Sequence, residues 1–534
     1  MVYFACFMIA MLCTMAMIPP LIKAAPGLGF VDVPDERKVH LNVIPRIGGV
    51  AMVIGALIPL GLLLPWTHQS LAILIAMTTI LFFGAWDDRK NLNYKIKFLG
   101  QAVAALIVIF NGIIIKALPF YDGVLPFPVA SALTLIVFLA ITNAMNLVDG
   151  LDGLAGGTTL LSLGTVAILA WHVDQQTEML FAVTVMGCIL GFLRFNTHPA
   201  KVFMGDSGSQ FLGFTLAVLM VALTQKSDVS LSQTLPFLLT GLPVLDTLSV
   251  MFKRIKEGRS PFSPDKNHLH HRLLKLGLSH YEVVIVIYLA QAIFVMAAYL
   301  MRFYADVLIV LFYLTYSAML LFLINVAERH VDKVKLIELS IFKLETADYI
   351  VKVRDVLFIA AIWIFAIYIS VSIVVPKKIG IDFLAIAIIA AVLSLGMILL
   401  RTKKPIGMIE KLLFYVLISV ATYFSQGLEQ NVPYFKYAEW AALGYLAFIV
   451  LYTFIFKNTK SFSVTTLDVL LLIVIIGLLN VPEGALQGVS IGYLAIKIAI
   501  LFYAIELLFS KFGDSGLYYR TLLFLAFACL SLQF

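Results

Sequence analysis

The chain alternates between long apolar runs and short polar connections along its whole length. A run of roughly 20 apolar residues can cross the hydrocarbon core of a bilayer as an α-helix. Such runs cover residues 2–21, 47–65, 71–86, 98–116, 129–146, 158–172, 179–195, 211–224, 233–251, 282–301, 305–325, 355–375, 382–400, 408–426, 438–456, 466–480, 488–509 and 519–533. They predict an all-α polytopic membrane protein with about 11 transmembrane helices in its first part and about 7 in its second.

A polar stretch at residues 326–354 interrupts this pattern with charges at helical spacing. It predicts an amphipathic cytoplasmic linker between a membrane domain at residues 1–325 and a C-terminal membrane domain at residues 355–534. The C-terminal domain has few ionisable residues, and a structural or interaction role is favoured for them over polysaccharide handling. They include Asp382, Glu410, Glu439, Asp468, Lys497 and Glu506.

The connections differ in charge, and this difference predicts the orientation in the membrane. Connections after odd-numbered runs are rich in Lys and Arg, whereas "PWTHQS" and "HVDQQTEM", after even-numbered runs, contain neither. Basic connections stay in the cytoplasm, so we expect the N-terminus outside. The first run lacks a preceding basic segment and a small-residue cleavage site, which favours a retained membrane span over a signal peptide.

The composition excludes several classes of protein. Hydrophobic residues make up 61% of the chain and charged residues 13%, which excludes a soluble protein and makes the lipid bilayer its main surrounding. The net charge of +7 is spread over loops instead of forming a basic tract, so no nucleic-acid partner is expected. The four cysteines lie in apolar runs without C-x-x-C spacing, so no disulfide or zinc site is expected from them.

Polar side chains gather at the predicted cytoplasmic ends of the helices. In "WDDRKNLNYKIK", Asp87 and Asp88 end a predicted helix, where a carboxylate opposes the helix dipole. Simple solvation at a helix end is one explanation for this pair. A divalent cation, or the nearby Lys95 and Lys97, is the alternative that we favour.

A second motif, "NAMNLVDGLDG", follows an apolar run directly. Asn143, Asn146 and Asp149 are spaced by three residues and therefore share one helix face. The glycines that follow break the helix and allow Asp152 to turn towards the same pocket. Polar capping of a helix end would explain one asparagine but not four groups on one side.

The third motif, "FMGDSGS", places Asp206 in a Gly-Ser turn before a new helix, whose amides could meet a phosphate. An ordinary N-cap is the alternative for Asp206. Oxygen ligands from aspartate and asparagine suit Mg²⁺, with Mn²⁺ as a second candidate. Because the chain has no P-loop or dinucleotide motif, the pattern predicts magnesium-assisted phosphoryl transfer at a membrane surface.

The fourth motif, "HLHHRL", contains His268, His270 and His271. Its spacing matches no structural zinc site and no cysteine is near it. Binding of a nucleotide or sugar by these imidazoles is therefore favoured over zinc.

These motifs, with "DVPDERKVHLNVIPRIGG" and in this order, resemble those of the polyprenyl-phosphate N-acetylhexosamine-1-phosphate transferases. That family includes the phospho-MurNAc-pentapeptide translocase of peptidoglycan synthesis, and the resemblance covers about residues 1–325. It implies transfer of a sugar phosphate from a UDP-N-acetylhexosamine to undecaprenyl phosphate in a bacterial inner membrane. The histidine motif resembles the N-acetylglucosamine branch, which starts envelope polysaccharides such as O-antigen; the pentapeptide translocase is the alternative.

The resemblance also implies roles for individual residues. Asp206 resembles the principal magnesium ligand, Asn146 a second ligand and Lys97 the diphosphate-binding lysine. The matching catalytic positions are Asp87, Asp88, Asp149 and Asp152. The expected substrate-binding positions are Lys95, Lys97, Asn143, His268, His270, His271, Arg272, Arg37, Lys38 and His40.

Two mechanisms and one other class of protein stay open from the sequence. A phosphate monoester is mostly dianionic at neutral pH because its second pKa is about 6, which favours direct attack by the lipid phosphate. A covalent phospho-aspartate on Asp87 or Asp88 is the alternative. The prenyl chain is expected between membrane helices, beside a helix that Pro243 should kink. A lipid-glycan flippase is the rival class, and a homodimer is an open alternative.

Overall fold

The computed structural model describes residues 2–32, 43–225, 231–260, 267–329, 360–372, 391, 395, 408–432, 434–455, 465–479, 491–512, 521 and 524–528. The helices before residue 330 are α1 (Val2–Leu28), α2 (Gly48–Leu63), α3 (His68–Lys90), α4 (Tyr94–Phe110), α5 (Phe127–Val148), α6 (Leu154–His172), α7 (Gln176–Asn196), α8 (Gly205–Thr224), α9 (Leu235–Leu239), α10 (Gly241–Lys256), α11 (Leu269–Lys275), α12 (His280–Leu300) and α13 (Asp306–Arg329). Strands β1 (Val31–Asp32) and β2 (Ile44–Pro45) form one antiparallel pair, and β3 (Ala117–Leu118) and β4 (Tyr121–Val124) form another.

The architecture confirms the predicted fold class. Each of the eleven runs predicted before residue 326 contains a helix, and the ninth contains two. Within the described residues, eight helices are long and apolar enough to cross a membrane. Most of the predicted run 382–400 and most of the predicted linker lie outside the described residues.

The chain divides into two compact units. The first contains Met1–Glu338 together with Thr465–Val474, and the second contains Leu339–Val464 and Ile475–Phe534. In the first unit, Leu470 is fully buried in the hydrophobic core and Thr466 lies close to Gly153. A short segment from late in the chain therefore belongs to the same packed unit as the N-terminal motifs.

The second unit has a core of its own. Its described helices are Ala360–Ser372, Met408–Asn431, Phe435–Ile455 and Ile491–Phe512. They bury Phe414, Leu443 and Leu501 completely.

Helix α8 lies at the centre of the first unit. It packs against α2, α3, α5, α6 and α7. Its most apolar 18 residues are all buried. Glycines allow the backbones to touch: a Cβ at Gly49 would lie 2.2 Å from the Gly208 nitrogen, and one at Gly84 would lie 2.5 Å from the Ser207 Cα. The first turn of α8 is therefore held directly against α2 and α3.

The helix expected to kink at Pro243 is broken instead, between α9 and α10. Proline has no N–H to donate to the carbonyl four residues earlier, which is that of Leu239. This carbonyl accepts hydrogen bonds from the Ser162 hydroxyl at 2.7 Å and the Gln291 amide at 3.1 Å. Gln291 also accepts from the Leu242 N–H at 3.1 Å, so buried side chains satisfy both sides of the break.

Candidate active site

The site lies at one end of the helix bundle, where α3 and α5 end and α4 and α8 begin. The close packing of α2 and α3 on α8 brings these helix ends together. The connection before α8 is also fixed, because the N–H groups of Gly48 and Gly49 donate to the Phe203 and Met204 carbonyls at 2.9 Å. Side chains far apart in the sequence therefore meet in one polar cluster.

Lys97 lies between two carboxylates from different helices. Its Nζ is 2.5 Å from Asp87 Oδ2 and 2.6 Å from Asp206 Oδ2. The Lys97 and Asp206 side chains keep 31% and 28% of their surface exposed, whereas Asp87 keeps 4%. Two anionic groups thus converge on one cation at a point that water can reach.

Asp88 has different partners from its neighbour. Its carboxylate accepts the backbone N–H of Asp206 at 2.7 Å and that of Ser207 at 3.0 Å. Gly205 has a φ of +69°, and a Cβ there would lie 2.5 Å from Asp88 Oδ1. These amides, which the sequence suggested for a phosphate, hold Asp88 instead. The positive end of α8 also explains why a carboxylate is stable at the end of α3.

The two asparagines on one face of α5 have separate roles. Asn146 donates to Asp206 Oδ1 at 3.2 Å and to Ser209 Oγ at 2.8 Å. Asn143 donates to Gln101 Oε1 at 2.8 Å, and Gln101 donates to Gln210 Oε1 at 3.1 Å. A polar layer therefore continues one helical turn inward from the carboxylates.

The sequence did not single out Gln101, Ser209 or Gln210. A signal was nevertheless available, because Gln101 follows Lys97 by four residues and Gln210 follows Asp206 by four. Residues four apart on a helix lie on one face.

Asp149 and Asp152 do not share one environment. Desolvation, followed by the negative charges of Asp206 and Asp88, raises the pKa of Asp149 to about 8. Asp152 contacts His198 and the Ala200 N–H, with Oδ2 at 2.7 Å from His198 Nδ1 and 3.1 Å from the amide nitrogen. The turn thus places its two aspartates with different partners.

The histidines of the fourth motif are held at the same end of the bundle. His268 Nδ1 is 2.9 Å from Asp246 Oδ2, and Asp246 Oδ1 accepts the Leu269 N–H at 2.7 Å. The His270 ring lies against Gly150, where a Cβ would be 2.3 Å from Nε2. Burial lowers the pKa of His270 to about 3, so this imidazole is neutral at physiological pH.

Other predicted residues are further from this cluster or outside the described part. His271 lies beside His270, with ring centroids 4.2 Å apart. The Arg272 guanidinium pairs with both Glu328 oxygens at 2.8 Å and donates to Asn325 at 2.6 Å. Lys95 is exposed and forms no ion pair with a described residue. The described ranges do not include Arg37, Lys38 and His40.

The part of the chain that contains this site is similar to known proteins. The model of glycosyl transferase family 4 matches residues 70–224. A probable undecaprenyl-phosphate N-acetylglucosaminyl 1-phosphate transferase of Bacillus subtilis (strain 168) is 37% identical over 305 residues, covering 55% of this chain and 84% of the relative. The chain belongs to glycosyl transferase family 4.

Two further proteins similar to this chain are also named as N-acetylglucosamine phosphate transferases that act on a polyprenyl phosphate. The undecaprenyl-phosphate alpha-N-acetylglucosaminyl 1-phosphate transferase of Escherichia coli (strain K12) is 30% identical over 279 residues, covering 51% of this chain and 76% of the relative. A decaprenyl-phosphate N-acetylglucosaminephosphotransferase of Mycobacterium tuberculosis (strain ATCC 25618 / H37Rv) is 38% identical over 305 residues, covering 51% and 75%. These matches confirm the resemblance, and this family member is longer, with an extra C-terminal region.

Proposed function

We propose that this protein transfers N-acetylglucosamine-1-phosphate from UDP-N-acetylglucosamine to undecaprenyl phosphate, releasing UMP. The names of the relatives support the sugar phosphate and the polyprenyl acceptor. One structural observation carries the proposal: two carboxylates and a lysine from α3, α4 and α8 meet at one end of a membrane bundle. Such a site can hold a water-soluble diphosphate next to a lipid phosphate.

A divalent cation fits the donor set of this site. Asp87 and Asp206 each place a carboxylate oxygen within 2.6 Å of one ammonium, so both oxygens can face a single positive charge. Asn146 uses its N–H donors on Asp206 and Ser209 and offers its carbonyl oxygen as a further ligand. Mg²⁺, or Mn²⁺, would be held by Asp206 and Asn146 and, when bound, would neutralise charge on the donor diphosphate.

The protein groups favour direct attack by the lipid phosphate over a covalent phospho-aspartate. Asp88 uses both oxygens as acceptors of backbone N–H groups, and Asp87 accepts the Leu92 N–H at 2.5 Å and pairs with Lys97. A covalent mechanism would have to break or share one of these contacts, which supports direct attack. In this mechanism Lys97 binds a phosphate, Asp88 fixes the orientation of α8, and the dianionic acceptor needs no base.

The histidine segment is proposed to bind the donor. Its neutral His270 contacts the glycine turn that follows Asp149, while Asp246 anchors His268. Neutral imidazoles can donate hydrogen bonds to a uridine or sugar without adding charge. The names of the relatives favour UDP-N-acetylglucosamine over the pentapeptide donor.

A transferase assay tests the proposal directly. Purified protein with undecaprenyl phosphate and radiolabelled UDP-N-acetylglucosamine should form a labelled lipid, and UMP should be released in equal amount. Chelation with EDTA should stop the reaction and Mg²⁺ should restore it. Exclusive use of UDP-MurNAc-pentapeptide would contradict the proposed donor. Movement of lipid-linked sugar across vesicles without UMP release would favour the flippase.

We further propose that the site faces the cytoplasm of a bacterial inner membrane and that the N-terminus lies outside. The basic connections support this orientation. In sealed cells, a cysteine replacing His68 or Gln176, both exposed at the opposite end of α3 and α7, should react with an impermeant thiol reagent. A cysteine replacing the exposed Lys256 should react only after permeabilisation. The reverse labelling pattern would contradict this orientation.

A further inference from the structure

Three side chains of the types that can bind metal ions, from separate elements, meet near the candidate active site. Asp152 lies in the α5–α6 turn, His198 in the α7–α8 connection, and His280 at the start of α12. One ligand atom from each lies within 4.8 Å of the other two. The rings of His198 and His280 are stacked with their centroids 4.2 Å apart and their planes at 22°.

We propose that Asp152, His198 and His280 form a binding site for a transition-metal ion of the zinc class, separate from the magnesium site. Two imidazoles and one carboxylate suit Zn²⁺ far better than Mg²⁺, which prefers oxygen ligands. Ligand atoms in a tetrahedral zinc site are about 3.3 Å apart, as follows from bonds of about 2.0–2.1 Å. In the structure the His198–Asp152 contact of 2.7 Å would have to lengthen slightly, and no pair of ligand atoms is more than 4.8 Å apart.

The hydrogen bonds around the cluster already fix its shape. The Ala200 N–H donates to Asp152 Oδ2 at 3.1 Å. The Gly153 N–H donates to Asn196 Oδ1 at 2.8 Å, and the Tyr288 hydroxyl donates to the Gly153 carbonyl at 2.8 Å. Groups of this kind orient the ligands of metal sites before the ion binds.

A hydrogen bond to the Asp152 carboxylate explains the position of His198 but not that of His280. The second, His280, has its Nε2 3.4 Å from the Asp152 backbone oxygen, which is a long contact for a hydrogen bond. Its stacking on His198 brings a second nitrogen ligand to the carboxylate. This combination leaves the fourth position of a tetrahedral ion open to water.

An ion at this site would connect the two segments that carry Asp149 and Asp206. Asp152 follows Asp149 by three residues in one turn, and the connection containing His198 leads into the first turn of α8. The site is therefore placed to fix the relative position of these aspartates. This inference does not depend on the identity of the sugar donor or the lipid acceptor.

Cobalt is a direct spectroscopic probe of the site. Co²⁺ added to the full chain, purified in detergent and stripped of metal with a chelator, should give the intense visible absorption of four-coordinate cobalt. One equivalent of Zn²⁺ should remove this absorption. Six-coordinate cobalt bound by oxygen ligands absorbs weakly, so the magnesium site does not produce this signal. Absence of the band in the unmodified protein would overturn the proposal.

Matched variants assign the band to these residues. His198→Gln and His280→Gln should each weaken Co²⁺ and Zn²⁺ binding by at least about 10²-fold. The controls His68→Gln, at the other end of α3, and Asp206→Asn should keep the band. Unchanged gel-filtration elution and melting temperature would show that the glutamine variants are folded. Persistence of the band in the folded double variant, or its loss in His270→Gln alone, would place the ion elsewhere and refute the assignment.

Discussion

Two lysines in this protein pair with carboxylates, one at an exposed position and one in a buried core. Lys97 contacts Asp87 and Asp206 at the end of the first unit and stays 31% exposed. Lys497 contacts Glu439 at 2.9 Å inside the second unit, where the two side chains are 2% and 0% exposed. The first pair is open to a ligand, whereas the second is closed.

The surroundings of the closed pair satisfy its charges. The Tyr368 hydroxyl donates to Glu439 Oε1 at 3.1 Å, and the Lys497 ammonium lies 5.7 Å from the centroid of the Trp440 ring. A buried pair with added hydrogen bonds and cation–π contact is suited to fixing helices together. Exposure at the end of a bundle, more than the presence of charge, separates the proposed active site from a structural pair.

The largest expected effect is on catalysis in the first unit. Asp206→Asn should lower the transfer rate by at least about 10³-fold, because it removes the anionic ligand and the partner of Lys97. Its melting temperature should change little, since the backbone N–H bonds to Asp88 remain. The matched control Asp174→Asn, an exposed aspartate at the other end of the bundle, should keep full activity. Near-normal turnover of Asp206→Asn would contradict the assignment.

Substitutions in the buried Lys497–Glu439 pair should lower the stability of the protein and leave the transfer rate unchanged. Lys497→Met leaves Glu439 charged and buried, and should destabilise the protein by about 3–5 kcal/mol. The double variant Lys497→Met/Glu439→Gln should recover much of this loss because no unpaired charge remains. Denaturation in detergent measures both, and the transfer rate per folded molecule should stay unchanged. A single variant as stable as the unmodified protein would show that the pair is dispensable.

The two lysines of the α4 segment should behave differently from each other. Lys97→Met should reduce transfer by about 10²-fold, because two carboxylates would face the donor phosphates without a compensating charge. Lys95→Met should have a much smaller effect, since Lys95 is exposed and has no described carboxylate partner. Steady-state rates at saturating and limiting donor would distinguish binding from chemistry. Equal losses in the two variants would contradict this interpretation.

A methyl group at Gly150 tests the contact with the histidine segment. Gly150→Ala places its Cβ 2.3 Å from His270 Nε2, so the ring must move, and transfer should fall about tenfold. His270→Ala removes the obstacle. If the contact matters, adding Gly150→Ala to His270→Ala should have almost no further effect. Additive losses in the double variant would show that the two positions act independently.

The last prediction concerns the pH dependence of stability and not the transfer rate. The pKa of Asp149 in the folded protein, about 8, lies above the value of about 4 in an unfolded chain. The stabilisation from the retained proton is therefore present at low pH and lost as the pH rises towards 8. In metal-free buffer, the melting temperature of Asp149→Asn relative to the unmodified protein should increase between pH 5 and pH 8. Parallel melting curves would contradict the raised pKa.

Much of the fold was predictable because the bilayer fixes the length of an apolar helix. Eleven runs before residue 326 could be assigned from their apolar composition and approximate length, and all contain helices. The clustering of Asp87, Asn146 and Asp206 followed from their shared position at the helix ends that the charge of the connections predicts to be cytoplasmic. Helix periodicity and loop charge were sufficient for this.

The partners of these residues could not be predicted in the same way. Asp88 accepts amides that lie more than a hundred residues later, and Asp246 anchors His268 across a helix connection. Arg272, expected at the substrate, pairs with Glu328. Each contact depends on how helices pack side by side, and no local pattern of residues specifies that packing.

The enclosure of α8 has a consequence for the biogenesis of the protein. The helices that pack most extensively against α8 all precede it in the chain. They are α2, α3, α5, α6 and α7. When α8 leaves the ribosome, these neighbours have already been synthesised. We expect α8 to pack against these helices as soon as it leaves the translocon, with little time in contact with lipid. Bulky replacements at Gly49 or Gly208 should therefore delay integration and expose the nascent chain to membrane quality-control proteases.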